Sequence, residues 1–287
     1  MSVVAIPNIS EGRRTAVIDA CIRRMTAEGP RVLDVHSDPV HDRTVLTVHG
    51  EDLVAAMASL ADEARRRIDL TVQRGLHPRV GALDVCPFVP IDDAGPPVEL
   101  ARRAGAAIHA ACGAPVYFYG SAAFREETRE LPDIRSGGLA RLRRRARDDL
   151  PPDIGGPEID PHTGAICVGA RMTLIAFNVM IAGPVEVANG VARAIRAKNH
   201  GLIGVRALGI EIGPDVAQVS MNLTDPDRVG VEEVFEAVGR EARRAGVDIR
   251  ATELVGLVPE RHLPPPDAEA ARLLVEPGRS LEAALTG

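Results

Sequence analysis

The chain has 287 residues, of which 45% are hydrophobic and 26% charged, and its net charge is −6. That length exceeds one ordinary hydrophobic core and predicts two domains or two halves of a repeated unit, and the composition excludes a disordered chain. There is no apolar run of about 18 residues and no basic leader pattern, so no membrane span or export signal is expected; a basic tail or aromatic-rich patch for nucleic acid is also missing.

Cys21, Cys86, Cys112 and Cys167 are scattered without C-x-x-C spacing. They read as reduced thiols of a cytoplasmic protein, neither a zinc site nor a disulfide framework.

Residues 3–6 are a short apolar run, 7–12 are turn-rich, and Val17, Ile18, Cys21, Ile22 and Met25 repeat at helical spacing. This predicts strand, loop and amphipathic helix. Residues 31–35 and 44–48, rich in valine and leucine, predict two strands joined by the polar segment 37–42. Leu53, Ala56, Met57, Leu60, Ala64 and Ile68 keep the 3.6-residue period, and 83–91 is again extended and apolar, which completes a β-α-β-β-α-β order.

The same order recurs as strands at 172–181, 205–212, 217–223 and 249–257 with helices at 185–197 and 231–245. Each last strand ends in a Val-Pro pair, Val89-Pro90 and Val258-Pro259. The expected fold is α/β (α+β): two ferredoxin-like split βαβ subdomains related by internal duplication, sheets facing each other and helices outside. Between them a helix at 100–112, a strand at 116–119, a highly charged helix at 135–148 and a Pro/Gly-rich linker at 151–157 put the boundary near 165, giving subdomains 1–165 and 166–287. A groove between the halves is the expected ligand site.

Residues 74–88 are the most informative stretch, with His77 and Arg79 in a Gly/Pro-punctuated loop ahead of a buried strand. Pro78 restricts His77 to an extended backbone, and Gly75 and Gly81 permit close approach of a ligand. On residue types alone His77 is either a presented base or a satisfied loop histidine. His36, His41 and His49 lack the Cys or carboxylate spacing that completes a metal site, so no metal is expected.

The chain resembles the formiminotransferase domain of glutamate formimidoyltransferase and of formimidoyltransferase-cyclodeaminase. The resemblance rests on Val4, Pro7, Asn8, Ser10, Glu11 and Gly12; on Leu33-Asp34-Val35 and Arg43-Thr44-Val45; and on the stretch from His77 to Phe88. In the second half it rests on Gly169-Ala170-Arg171, on residues 174–178, on 217–223 and on 254–259. It implies transfer of a formimidoyl group from N-formimidoyl-L-glutamate to tetrahydrofolate as co-substrate, folate bound between the halves, and His77 as the catalytic histidine. Cyclodeamination, if present, is expected on a separate chain.

In such a reaction the secondary amine of tetrahydrofolate loses a proton as it attacks the amidinium carbon, and the departing glutamate nitrogen needs one, so a single imidazole serves as base and then acid. The intermediate is cationic, which makes Asp38, Asp42 and Asp84 candidate stabilisers by charge preorganisation. Asp84 is alternatively a hydrogen-bond acceptor within its strand, and Asp38 a turn residue. Arg43, Arg79 and Arg171 are candidates for the substrate carboxylates, against ordinary surface solvation. Asn8, Asn178 and Asn222 are candidates for the pterin edge, or turn caps. Phe88, Phe177 and Tyr119 are the few rings available for stacking. The charged face at 141–147 reads as solvated surface.

The chain departs from the family pattern at His36, a position often acidic, at Leu76, often polar, and at 198–202, shorter than in the bifunctional enzymes. Two other readings are therefore carried: formimidoyl or formyl transfer involving a different amine, and a non-catalytic folate-binding paralogue. A homodimer is expected from the general frequency of that state.

Overall fold

The computed structural model describes residues 2–76, 78–92 and 94–287. His77 lies outside the described residues. The chain divides into two compact units, Met1–Met172 and Thr173–Gly287.

The first unit opens with β1 (Val3–Ala5) and β2 (Asn8–Ile9), then α1 (Thr15–Thr26), β3 (Arg31–Asp38), β4 (Arg43–His49), α2 (Leu53–Arg67) and β5 (Leu83–Pro90). β1 and β2 are one strand interrupted at Ile6 and Pro7, since both pair antiparallel with β4 on one side and β5 on the other. The amide of Ile6 reaches Pro87 O at 2.9 Å and Leu46 N reaches Pro7 O at 3.0 Å, so the sheet holds its register through the break. With β3 on β4, this part of the sheet runs β3, β4, β1/β2, β5, all antiparallel, which is the split βαβ order read from the sequence.

Next come α3 (Val98–Cys112), β6 (Val116–Gly120), α4 (Glu126–Arg129), α5 (Leu131–Arg135), α6 (Gly138–Arg145) and β7 (Ile166–Ala170). β7 inserts in parallel between β5 and β6. A boundary drawn at 165 leaves β7 with the second half, whereas its hydrogen bonds all lie within the first sheet. The charged helix expected at 135–148 forms as the shorter α6, and Arg135 instead ends α5.

α1, α2 and α3 cover one face of this sheet over a core that includes Ile9, Met25, Leu46, Met57, Leu60, Phe88, Ile108 and Phe118. A second core of Val80, Val85, Tyr117, Tyr119, Ile134, Leu142, Ala146 and Leu150 joins α5 and α6 to the same sheet. The sequence reading left one sheet face free of helices, but β5 is buried at every residue, as a strand packed on both faces must be.

The second unit runs β8 (Ile175–Ala182), α7 (Val185–Ile195), β9 (Val205–Gly213), β10 (Val216–Leu223), α8 (Val231–Arg244) and β11 (Ile249–Val255), followed by the short helices α9 (Glu269–Arg272) and α10 (Leu281–Thr286). Its four strands lie in the order β11, β8, β10, β9, again all antiparallel. Ile175, Phe177, Val179 and Ile181 of β8 and Ala217, Val219, Met221 and Leu223 of β10 share one core with α7 and α8. The alternate residues, Asn178, Gln218, Ser220 and Asn222, therefore point to the opposite face.

Candidate active site

Three loops of the first unit are tied together by side chains bonded to backbone. Ser10 Oγ donates to Gly81 O at 2.7 Å, Thr44 Oγ1 donates to Glu11 O at 2.6 Å, and Gln73 Nε2 donates to Ser10 O at 2.7 Å. The buried Glu11 carboxylate accepts from Arg13 N at 2.9 Å and Arg14 N at 2.8 Å, and pairs with Arg14 Nε at 2.5 Å, which fixes the entry to α1.

Asp42 holds φ 51°, a left-handed backbone that aspartate tolerates, and its Oδ1 accepts the Gly12 amide at 3.0 Å. The turn from Asp38 to Asp42 is gripped from two sides by glycines. A Cβ at Gly12 would lie 2.2 Å from Asp38 O, and one at Gly75 would lie 2.1 Å from both His41 O and Arg79 Nη2. Only hydrogen fits at either contact.

Arg79 Nη2 donates to His41 O at 2.9 Å, and Nη1 lies 3.5 Å from Asp42 O and 3.4 Å from Gln73 Oε1. Burial pulls this guanidinium below the ordinary arginine range, Asp42 and Asp84 oppose the shift, and Arg13 and Arg135 reinforce it. Arg79, expected as a substrate contact, thus braces the loops on either side of the His41 turn. Leu76 N donates to Val40 O at 3.3 Å, so both residues 76 and 79, on either side of His77 and Pro78, are bound to the same turn.

Asp38 is the turn residue of the structural alternative: its Oδ1 accepts Val40 N at 2.7 Å and His41 N at 2.9 Å, while Oδ2 is 3.6 Å from His41 Nε2. Arg43 opens β4 directly opposite Asp38. Asn8 turns its amide back onto Ile6 O at 2.9 Å. Asp84 accepts two backbone amides and pairs with Arg135, the structural alternative again.

Arg171 follows β7, donating its amide to Phe88 O at 3.2 Å and Nη1 to Met172 O at 2.9 Å. Burial depresses its guanidinium, and Tyr119 beside it acts in the opposite direction. In the second unit Asn178 Nδ2 donates to Glu253 Oε2 at 2.7 Å, and Asn222 is exposed opposite Arg206 and Ala176.

The three rings expected for stacking are core residues: Phe88 and Phe177 are fully buried and Tyr119 nearly so. Their positions on inward-facing sheet residues leave no ring face for a ligand. Among the described residues no group of three His, Cys, Asp or Glu side chains is placed to hold a metal ion. Gln73 and Arg135 are the braces that the sequence reading did not single out; neither belongs to a motif, and their partners are remote in sequence.

These two split βαβ units, the first carrying a loop cluster locked by buried polar contacts, define a two-unit α+β protein. The description "formiminotransferase domain, N-terminal subdomain" matches residues 2–171, and "formiminotransferase domain" matches residues 176–271. The chain belongs to the formiminotransferase domain family. It is 36% identical over 269 residues to a glutamate formimidoyltransferase of Streptococcus pyogenes, covering 91% of this chain and 90% of that protein. It is 38% identical over 275 residues to a glutamate formimidoyltransferase of Thermoplasma acidophilum, covering 92% and 90%. To the formimidoyltransferase-cyclodeaminase of Sus scrofa it is 38% identical over 278 residues, and the match spans 51% of that longer protein.

Proposed function

We propose that this chain transfers the formimidoyl group of N-formimidoyl-L-glutamate to tetrahydrofolate, giving 5-formimidoyltetrahydrofolate and glutamate. The observation that carries this reading is the similarity to glutamate formimidoyltransferases across both units, at 36–38% identity over nine-tenths of each protein.

In the proposed step the folate nitrogen bonds to the amidinium carbon and loses its proton to His77. The bond from that carbon to the glutamate nitrogen then breaks as the same proton is delivered to the leaving nitrogen. No metal and no covalent enzyme intermediate enters the scheme. A base that must reach two nitrogens in succession gains from a backbone held on both sides, and the bonds at Leu76 and Arg79 support that role.

Asp38, with part of its carboxylate still accessible, is the proposed stabiliser of the positive charge that the amidinium brings to the step and that His77 carries until it returns the proton. Arg43 and Arg171 are the proposed partners of substrate carboxylates, with Arg79 holding the loop from which they are approached. Asn178 and Asn222 are proposed for the pterin edge, and Asn8 for shaping the entry from β2. Among the described residues no helix is long and apolar enough to cross a membrane; a cytoplasmic homodimer is the proposed working state.

The test is incubation of purified protein with N-formimidoyl-L-glutamate and tetrahydrofolate, following 5-formimidoyltetrahydrofolate. Turnover is expected. Folate binding without turnover would make the chain a binding paralogue, and turnover with another donor alone would move the reaction to a different amine.

A further inference from the structure

Asp84 is an acidic residue in a strand packed on both faces, and only 2% of it is exposed. A carboxylate placed there is costly to desolvate unless it is paired and hydrogen-bonded, and an apolar pair of similar volume would avoid that cost. Its Oδ1 accepts the amides of Val80 at 2.7 Å and Gly81 at 3.3 Å, and its Oδ2 pairs with Arg135 Nη2 at the end of α5. The Arg135 side chain is itself 14% exposed, and its Nε is buried without a hydrogen-bond partner among the described residues.

What this pair holds is a short piece of backbone. Val80 O accepts Ala165 N at 2.9 Å, Gly81 O accepts Ser10 Oγ at 2.7 Å, and Gly81 bridges Gly164. With the two amides on Asp84, every backbone donor and acceptor of residues 80 and 81 has a partner. These residues follow His77 by three and four positions, and only Pro78 and the braced Arg79 intervene.

We propose that Asp84 and Arg135 are positioning residues of the transfer reaction: together they fix the Val80 and Gly81 backbone and so the place from which His77 meets its substrates. The proposal rests on the transfer function above. Arg135 acts through Asp84, and neither residue exchanges a proton in the reaction.

The test uses the full chain with Arg135→Gln and Arg135→Lys, read by steady-state kinetics and by amide hydrogen exchange. Arg135→Gln is expected to lower kcat by about tenfold to a hundredfold, the cost of a displaced catalytic group, with KM for both substrates within about threefold. Arg135→Lys keeps the charge without the planar fork and should recover part of the loss. Exchange at Val80 and Gly81 should quicken in Arg135→Gln while exchange at Val219 of the second unit stays as in the parent.

A folded Arg135→Gln with the parental kcat would overturn the proposal, as would a loss of kcat no larger than the loss of folded protein. If Arg135→Gln does not fold, Arg135→Lys carries the same readings, with a smaller drop expected and parental values in both readouts overturning it. A parent chain without transferase activity would sink the proposed function instead, and the exchange rates at Val80 and Gly81 alone would then decide whether the pair fixes this backbone.

Discussion

In the first unit several buried polar side chains bond to backbone, Ser10 to Gly81, Thr44 to Glu11, Asp42 to Gly12 and Asp84 to Val80 and Gly81, and Asp84 pairs with Arg135 besides. On the face of the second sheet turned away from its core the pattern differs: Asn178 bonds a side chain, Glu253, and Gln218 Nε2 is buried with no partner among the described residues. Side chain to backbone bonds consume polar groups in order to fix loops, as the proposed positioning of His77 requires. A sheet fixes its own backbone by its ladder, so the side-chain amides on its faces are not needed to hold it.

The largest effect expected from breaking this contrast is at His77. His77→Ala should retain folate binding, measured by equilibrium titration, while turnover falls by about a hundredfold or more, the usual contribution of a positioned general base. An unimpaired variant would remove His77 from the reaction.

Gly75→Ala should act on the same function without touching a proposed chemical group. Its Cβ would collide with His41 O and Arg79 Nη2, each 2.1 Å away, so the loop must move. The expected loss in kcat is about tenfold or more, with stability lowered by about 1–3 kcal/mol in denaturant titration. Parental kcat would show that the braces around the His41 turn are structural only.

The smallest effect is expected in the second unit. Gln218 is 4% exposed and its Nε2 has no partner among the described residues, so Gln218→Leu removes a buried unsatisfied group at similar volume. Stability should be unchanged or raised by about 1 kcal/mol in thermal melts. A destabilisation beyond about 1 kcal/mol would mean that the amide is held in the folded protein, and the contrast between the units would shrink.

The strands and helices of both βαββαβ units were legible because each carries a full period of buried residues: Leu53 to Ile68 at helical spacing, and the alternation of β10 from Val216 to Leu223. β2 was not, because Pro7 and Asn8 carry turn chemistry and the two-residue strand exists only through its neighbours β4 and β5. β7 is five residues long with a glycine inside it, too short for periodicity to speak.

At the proposed site, the motif loop and the nominated residues rest on resemblance, and the partners those residues take in the structure are not legible there. Arg79 stands in the motif as a cation, and nothing in its spacing says that it bonds the carbonyls of residues 41 and 42. Asp84 meets Arg135 across fifty-one residues, a contact set by how α5 packs on the sheet. Phe88 and Phe177 look available in a chain poor in rings, but burial of the largest apolar side chains takes them first.

The parallel insertion of β7 bears on how the chain can be divided. A fragment stopped at residue 165 would keep β5 and β6 but lose the strand between them, exposing two rows of unpaired amides and carbonyls that invite self-association. Separation after Met172 leaves that sheet whole, so the severed halves of this protein are to be sought on the far side of Arg171.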